Sequence, residues 1–273
     1  MIRTFAALEF LIKSRLIGTP AEDFAKRIRW LLGANQRRRH PELWEFYLEE
    51  LRLPLVLNKL LSENSRGVDV GSHLGSFLNL LTKHAPKGRH LAFEPITSKN
   101  VWLKTRFPEA RVLPFAVSDK NGTATFEENL TRSGYSSLFH TERSSNQTRS
   151  YDVQTCRLDD VIGAERVDLI KLDVEGGELA SLQGARKTIS AWCPSIIFEC
   201  GSEYFLNEAK LSRRELYDFI VDELHYDIFC FGDFLFEKGK MSFDEFRKCG
   251  LYPFRAFNFI ALPSNAGSTT QHL

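Results

Sequence analysis

A helical rhythm of apolar positions runs through the first part of the chain. Phe24, Ile28, Leu31 and Leu32 recur at the spacing of one helix face, which predicts a helix there. A further helix is predicted over "PELWEFYLEEL", because a proline suits the first turn of a helix. Together these patterns predict an N-terminal helical segment over 1–62.

The first sixteen residues, "MIRTFAALEFLIKSRL", form an amphipathic pattern of their own. A signal peptide is disfavoured, because Glu9 interrupts the apolar run and no small-residue cleavage site follows. We expect a helix that docks on the domain, and contact with a membrane surface is the alternative. Its inward face would consist of Phe5, Leu8, Leu11 and Ile12.

From Arg66 onwards, short apolar runs alternate with segments of helical spacing. This alternation predicts an α/β fold with a doubly wound, mostly parallel sheet and helices on both faces. The runs "YDIFCFGDFLFE" and "FNFIALP" predict a closing antiparallel pair, and Asn121-Gly122 predicts a hairpin turn. We expect one domain over 63–264, followed by a loose polar tail over 265–273.

Composition and charge narrow the classes of function. The 36 Lys+Arg and 35 Asp+Glu give a net charge of +1, without the basic excess typical of nucleic-acid-binding domains. Five scattered cysteines predict neither a disulfide framework nor a zinc site and favour a reducing, cytoplasmic location. No run approaches the roughly 20 apolar residues of a membrane span. The basic run Arg37–Arg39 predicts a solvated loop, with contact to a polyanion or a membrane as the alternative.

The first two predicted strands end in residues suited to a ligand. In "VDVGSHLGSF", Gly71 allows a tight turn and close approach of a ligand, and Gly75 opens a helix whose free N–H groups favour an anion. The spacing lacks the further early glycine of the dinucleotide fingerprint, which disfavours a nicotinamide enzyme. Glu94 ends the next strand, in "LAFEP", where a carboxylate can accept hydrogen bonds from both hydroxyls of a ribose.

The stretch "LIKLDVEGGEL" combines an apolar strand with three charged residues. Strand alternation predicts that Lys171, Asp173 and Glu175 share one face, while Leu172 and Val174 share the other. Burying unpaired charges is costly, so this face is expected to meet a pocket and not a dry core. Lys171 can pair with Asp173, two positions along the chain.

Several of these motifs, in this order, resemble the FkbM-type S-adenosylmethionine-dependent methyltransferases of the class I methyltransferase fold. The resemblance extends from about Gly67 to Gly201 and implies a seven-stranded, Rossmann-like sheet with S-adenosylmethionine as the cofactor. It implies that the cofactor meets Asp69, Gly71 and Gly75 in the glycine-rich turn, and Glu94 at the ribose. His73 departs from the small or amide residue that many relatives carry. The motifs are "VDVGSHLGSF", "LAFEP", "LPFAVSDKNGTATF", "RLDDV", "LIKLDVEGGELASLQGA" and "PSIIFECG".

The same resemblance assigns expectations to further residues. The segment Ala116–Asp119, with Ser118 and Asp119 as cofactor-binding residues, is expected near the adenine. Asp173 would end the fourth strand at the active-site edge, where it could orient the ammonium group of the cofactor or a substrate hydroxyl. Lys171 would act with it, and an ion pair that merely fixes the strand is the alternative for both residues.

Methyl transfer to a hydroxyl requires alignment of the acceptor and removal of a proton. Candidate bases are Asp173, Glu199 after "SIIF", His73, and His140 in "GYSSLFH". Burial beside the apolar residues of that strand would raise the pKa of Glu199 toward a useful range. A metal shared by Asp173 and Glu199 is conceivable, but the spacing does not require one, and we expect none.

The resemblance implies O-methylation of a hydroxyl on a sugar, a glycolipid or a polyketide-like small molecule. The alternatives are N- or C-methylation of another small molecule, or a non-catalytic scaffold that binds the cofactor. The expected partner is thus a small-molecule or glycan acceptor, with no nucleic acid and no membrane span. The polar segment Thr131–Ser150 is expected to cover the pocket.

Overall fold

A computed structural model of the chain describes residues 15–129 and 148–264. Three expectations lie outside these residues: most of the amphipathic N-terminal pattern, the tail over 265–273, and His140 with most of the expected lid.

The main sheet has seven strands in the order β3-β2-β1-β7-β8-β10-β9. The strands from β3 to β8 are parallel, and β10 runs antiparallel to both of its neighbours, as predicted for the last two extended runs. The predicted α/β class with a mostly parallel sheet is therefore confirmed. The bounds are β1 Gly67–Val70, β2 Leu91–Phe93, β3 Arg111–Leu113, β7 Leu169–Leu172, β8 Ser195–Glu199, β9 Tyr226–Cys230 and β10 Asn258–Pro263.

A second sheet lies between β3 and β7 in sequence. Its strand order is β4-β6-β5, with β4 parallel and β5 antiparallel to β6. Phe126 and Val153 from β5 and β6 form a small core with Ile96 and Ala116. The bounds are β4 Ala116–Val117, β5 Gly122–Asn129 and β6 Thr148–Cys156.

Helices precede the main sheet and connect its strands. Before β1 lie α1 Pro20–Leu32, α2 Ala34–Arg39, a 3-10 turn Pro41–Leu43, α3 Trp44–Tyr47 and α4 Glu49–Leu60. The others are α5 Ser76–His84, α6 Thr97–Arg106, α7 Leu158–Ile162, α8 Glu178–Gln183, α9 Arg186–Trp192, α10 Glu203–Glu208, α11 Arg213–Asp218, a π-helix Phe219–Glu223, α12 Phe231–Leu235 and α13 Phe243–Cys249. No helix in the described part of the chain is both long and apolar enough to cross a membrane.

Both faces of the main sheet are covered by apolar side chains. Alternate residues of one strand join different clusters: Ile170 and Leu172 pack on one face and Leu169 on the other. The strand β7 is buried along its whole length, which explains its nearly continuous apolar sequence.

The chain reverses its direction of winding between β1 and β7. From β1 it proceeds outward through β2 and β3, and it then returns to add β7 on the opposite side of β1. Ligands of open α/β sheets bind outside the carboxyl ends of strands at such a switch point. The ends of β1, β2 and β7 are therefore the place to search for a site.

The middle of the chain departs from the simple alternation of strands and helices, and one prediction there is wrong. The apolar run "ARVLPFAVS" divides into β3 and β4, in different sheets. Pro114 lies between them, and proline cannot donate a ladder hydrogen bond. Asn121-Gly122 does not form a hairpin turn, because β6 lies between β4 and β5.

Two other segments differ in secondary structure. In "YDIFCFGDFLFE" the strand ends at Cys230, and Phe231–Leu235 form a helix. Arg37–Arg39 belong to α2 and are not a loop, although Arg38 and Arg39 are exposed to solvent as expected.

The N-terminal helices are fixed to the sheet by buried polar contacts. Glu49 of α4 is buried and accepts hydrogen bonds from the backbone N–H groups of Phe257 and Asn258 at 2.9 and 2.8 Å. Glu22 of α1 is also buried and accepts one from Asn79 Nδ2 of α5 at 2.9 Å. These bonds hold α1 and α4 above the carboxyl ends of the strands.

Candidate active site

A cavity of about 1310 Å³ lies between the strand ends and the N-terminal helices. Its floor includes the residues that follow β1, β2 and β7. Its other walls include residues of α1, α2 and α4, among them Lys26, Trp30, Arg37 and Leu51. This upper wall was missed by sequence reasoning, because nothing in the helical spacing indicates which strand ends a helix will cover.

The turn after β1 brings its backbone against the loop after β7. Gly71 has φ +81°, and its N–H donates to Phe93 O at 3.1 Å. A Cβ atom at Gly71 would lie 1.9 Å from Asp173 O, far inside contact distance. Glycine is thus required by both the backbone angle and the close approach.

Gly75 has a structural role and does not line the described wall of the cavity. It precedes α5 with φ +81°. A Cβ atom there would lie 2.4 Å from Phe107 Cε2 and 2.8 Å from Leu103 Cδ2. The residue therefore allows the start of α5 to pack on α6.

Asp69 is fully buried within β1 and lines the cavity. Neither of its carboxylate oxygens has a hydrogen-bond partner among the residues that the structure describes. Burial raises the pKa of Asp69 to about 6, although Lys171, its neighbour across the strand pair, opposes the rise. A buried carboxylate without a partner is costly, so this position suits a cationic ligand group.

Glu94 follows β2 and is also buried at the cavity wall. Its carboxylate accepts hydrogen bonds from His73 N at 2.9 Å and Ile96 N at 2.8 Å. Burial raises the pKa of Glu94 to about 7, against the influence of Lys99. Glu94 therefore ties the turn after β1 to the loop after β2, in addition to facing the cavity.

The strand β7 ends at Leu172, earlier than the sequence pattern suggested. Glu175 has φ +50°, so the alternation expected for Lys171, Asp173 and Glu175 stops before its third member. All three nevertheless line the cavity. Leu172 and Val174 pack in the core on the other side, as expected.

Lys171 and Asp173 form an ion pair of 2.5 Å between Nζ and Oδ2. Burial opposes the charge of Lys171, but Asp173 and Asp69 outweigh it and raise its pKa. Burial likewise opposes the charge of Asp173, but Lys171 and a hydrogen bond with Glu199 lower its pKa. Both groups are therefore charged, and 35% of the Asp173 side chain is accessible from the cavity.

Asp173, Glu175 and Glu199 form a carboxylate cluster, with oxygens that all lie within 4.8 Å of one another. Burial, followed by the charge of Asp173, raises the pKa values of Glu175 and Glu199 well above their ordinary range. The ammonium group of Lys171 thus compensates the charge of Asp173, and the raised pKa values favour the neutral forms of Glu175 and Glu199. The oxygens have a spacing that a divalent cation would also accept, although Lys171 already occupies one side of Asp173.

Ser118 and Asp119 follow β4 and are not part of the described cavity wall. The Ser118 hydroxyl donates to Asp119 Oδ1 at 3.0 Å, and Asp119 is exposed. From the segment expected near the adenine, only Ala116 and Val117 reach the cavity, together with Phe115 before them. Because the chain bends at Pro114, the residues that line the cavity lie at the start of this segment and not at Ser118 and Asp119.

Three further acids and one histidine were singled out by sequence. His73 lines the cavity with φ +50°, and Glu199 lies behind Asp173, outside the described wall. Asp159 accepts hydrogen bonds from Thr188 N and Oγ1 at 2.8 and 3.0 Å, and it therefore caps α9. Glu178 begins α8 and accepts hydrogen bonds from the preceding turn.

Buried lysine and aromatic residues complete the wall, and the sequence analysis assigned no role to any of them. Lys99 of α6 is buried beside Glu94, and Phe77 of α5 lies 5.7 Å from Lys171 Nζ. Phe126 of the second sheet also contributes. Helical spacing could have placed Lys99 on the inward face of α6, but it could not have identified the carboxylate that it approaches.

The chain is similar in sequence to known methyltransferases. The model of the methyltransferase FkbM domain matches residues 69–230. Methyltransferase sdnD of Sordaria araneosa is 29% identical over 161 residues, which cover 45% of this chain and 61% of sdnD. The chain thus spans about three fifths of the length of that relative.

Two solved methyltransferase structures match the chain at low sequence identity. Methyltransferase FkbM from Methylobacillus flagellatus KT is 18% identical, with a TM-score of 0.47, and the match covers 74% of this chain and 44% of that one. The plantazolicin methyltransferase BpumL is 11% identical, with a TM-score of 0.43, and the match covers 89% of this chain and 93% of that one. The domain match, in contrast, extends over more than half of the 273 residues and includes the turn after β1, the carboxylate after β2 and the ion pair after β7. The chain belongs to the methyltransferase FkbM domain family.

Proposed function

We propose that this protein is an S-adenosylmethionine-dependent methyltransferase that transfers the methyl group to a hydroxyl of a small-molecule or glycan acceptor. The observation that carries the proposal is the Lys171–Asp173 ion pair, which keeps Asp173 ionised at the wall of a cavity that also contains the unpartnered carboxylate of Asp69. One carboxylate is suited to bind a cationic cofactor, and the other is suited to accept a proton.

The residues of the cavity floor fit the cofactor. Asp69 offers both carboxylate oxygens to an ammonium group, and the turn at Gly71 leaves backbone atoms open to close approach. Glu94 would hold ribose hydroxyls, and Phe115, Ala116 and Val117 offer an apolar surface to the adenine ring. When bound, S-adenosylmethionine supplies a methyl group on a sulfonium, which is a good leaving group.

Residues on the acceptor side of the cavity would orient the acceptor hydroxyl and remove its proton. Asp173 would orient the acceptor hydroxyl and take its proton, while Lys171 holds the carboxylate in place. Burial and the charge of Asp173 raise the pKa of Glu199 and favour its neutral form, which would donate a hydrogen bond to Asp173 and keep the negative charge on Asp173. Helices α1, α2 and α4 cover the acceptor, so the segment over 1–62 would act as the acceptor-binding part and 63–264 as the methyltransferase domain.

Two measurements test the proposal directly. Calorimetry with S-adenosylmethionine should show binding to one site, and NAD should show none, because the turn after β1 lacks the dinucleotide fingerprint. A panel of hydroxylated acceptors with radiolabelled methyl donor should then identify a methylated product. Binding without transfer to any acceptor class would favour a scaffold, and transfer only to amines would replace the hydroxyl assignment.

We expect Glu94→Ala to weaken S-adenosylmethionine binding by more than about tenfold, since hydrogen bonds to a charged acceptor each contribute about 1.5–3 kcal/mol. Glu94→Gln should have an intermediate affinity, because it keeps one acceptor oxygen but loses the charge and one of the two acceptors that bind the backbone N–H groups of His73 and Ile96. Calorimetry measures both affinities. An unchanged affinity in a folded Glu94→Ala protein would remove Glu94 from the cofactor site.

Cofactor affinity should also depend on pH through Asp69. The pKa of Asp69 is about 6 in the free protein, and a bound ammonium group favours its ionised form. The contribution of Asp69 should therefore be full above this pKa and should fall by up to about tenfold per pH unit below it. Glu94, whose pKa is about 7, adds a second decline as the pH falls below 7. Calorimetry between pH 5 and 8 measures both, and Asp69→Asn should bind weakly and keep only the decline due to Glu94. A further decline below pH 6 that persists in Asp69→Asn would assign that titration to another group.

A further inference from the structure

Helix α1 exposes four large apolar side chains on one face. Phe24, Ile28, Leu31 and Leu32 have exposed fractions of 65%, 40%, 69% and 80%. Their spacing places them on one side of the helix. Surface helices of globular proteins normally turn such a face toward the core.

The polar face of α1 is the one that meets the protein. Glu22 is 4% exposed and accepts a hydrogen bond from Asn79 Nδ2, and Lys26 pairs with Glu22 at 2.8 Å. Arg29, on the same side, pairs with Glu50 of α4. Helix α1 therefore turns its polar side toward the protein and its apolar side toward solvent. None of the described residues covers the apolar side.

The apolar exposure is concentrated in this part of the molecule. Seven of the thirteen large apolar side chains that are exposed in the described residues lie between Phe24 and Leu55. Leu31 and Leu51 are both substantially exposed and both line the cavity. The apolar surface thus reaches the cavity entrance, which makes it a surface patch and not a scatter of single residues.

The same region has an excess of positive charge. Between Phe24 and His40 the chain has six basic residues and no acidic one. Lys26 and Arg29 pair with acids, and Arg37 stacks on Trp30 with 3.7 Å from its guanidinium carbon to the ring centre. The remaining three basic residues are all exposed and form no ion pair with the described residues: Arg27, Arg38 and Arg39.

Charge distinguishes between the candidates that could cover this face. A second copy related by two-fold symmetry would place the same basic surface against itself, which is unfavourable. Residues 1–14 contain Arg3, Lys13 and Glu9, so they add positive charge and do not neutralise the patch. An anionic lipid surface supplies both an apolar layer and compensating negative charge.

We propose that the apolar face of α1, with the basic residues of α1 and α2, docks on the surface of an anionic lipid bilayer. Phe24, Ile28 and Leu32 enter the boundary between headgroups and acyl chains, and Arg27, Arg38 and Arg39 contact lipid phosphates. Because Leu31 also lines the cavity, the cavity entrance then lies beside the lipid surface. This proposal does not depend on methyl transfer.

Sedimentation of the full chain with lipid vesicles tests the proposal. The protein should bind vesicles of phosphatidylcholine that contain phosphatidylserine, and binding to pure phosphatidylcholine should be at least about tenfold weaker. The double variant Phe24→Ser/Leu32→Ser and the triple variant Arg27→Glu/Arg38→Glu/Arg39→Glu should each lose about tenfold or more of the binding. Neither Phe24 nor Leu32 lines the cavity, so cofactor affinity of the double variant should match the wild type.

Val101→Ser provides the matched control, because Val101 is 60% exposed on α6 and lies outside the stretch from Phe24 to His40. Its vesicle binding should equal that of the wild type, and the melting temperatures of all variants should agree within a few degrees. A full-chain protein that stays free of both vesicle types would overturn the proposal, as would a dimer in light scattering that both sets of substitutions dissociate. Loss of binding in Val101→Ser equal to that in Phe24→Ser/Leu32→Ser would overturn the assignment to α1.

Discussion

Replacing Asp173 by asparagine is expected to leave the protein folded while lowering the rate of methyl transfer by about a hundredfold or more. Asparagine retains the shape of the side chain and its contact with the turn, but it can neither accept the proton of a hydroxyl nor hold a negative charge. The ion pair with Lys171 is lost at the same time. The lost proton acceptor and the lost ion pair both lie at the cavity wall, so the packing of the sheet should be unchanged.

A purely structural ion pair predicts a different result for the same variant. Lys171 is buried, so removal of its partner leaves a buried charge without compensation, and the melting temperature would fall. Activity measured well below that temperature would then remain near normal. Rate, melting temperature and cofactor affinity should therefore be measured on one preparation. A stable Asp173→Asn protein with wild-type activity would remove Asp173 from catalysis and transfer the role to Glu199.

The variant Glu199→Gln serves as the control for the carboxylate cluster. Burial and the charge of Asp173 raise the pKa of Glu199 and so favour its neutral form, and glutamine retains a donor toward Asp173. Its rate should consequently stay within about tenfold of the wild type, because the ionised base is unchanged. If Glu199→Gln lost as much activity as Asp173→Asn, the proton-accepting role would belong to Glu199.

The strand ends were the most predictable part of the site. Asp69, Gly71, Glu94 and Asp173 come from strands whose apolar runs fix where each strand ends, and parallel strands bring those ends to one edge. The sequence also identified Lys171 as the partner of Asp173. These relations depend on short stretches of chain and on the alternation of strand side chains, which local sequence encodes.

The sequence-based predictions failed where contacts between distant parts of the chain determine the structure. Ser118 and Asp119 lie outside the described cavity wall, because the chain leaves the main sheet at Pro114 and pairs with β6 instead. The exposed stripe of α1 was recognised as a helix face, but spacing does not reveal on which side the protein lies. Buried polar bonds from Glu22 and Glu49 determine that side, and both partners lie far along the chain.

Gly71 offers a test of whether the turn after β1 forms the cofactor site. Gly71→Val should abolish measurable binding of S-adenosylmethionine. A Cβ atom would lie 1.9 Å from Asp173 O, so the turn after β1 and the loop after β7 must move apart. The φ of +81° adds strain, since a positive φ is strongly unfavourable for a β-branched residue. Any such movement displaces Asp69, Asp173 and the wall between them.

The backbone strain can be separated from the steric contact by a matched glycine. Gly163 also has a positive φ, of +59°, but a Cβ atom there would have nothing within 4 Å. Gly163→Ala should therefore cost about 1–3 kcal/mol of stability through backbone strain alone and leave cofactor affinity unchanged. Gly71→Ala adds the contact with Asp173 O to the strain of its own positive φ, so it should lose affinity by about a hundredfold or more beyond any loss of stability. Calorimetry at a temperature where circular dichroism shows both variants folded makes the comparison. If folded Gly71→Ala bound S-adenosylmethionine as tightly as Gly163→Ala, the cofactor site would have to lie away from the turn after β1.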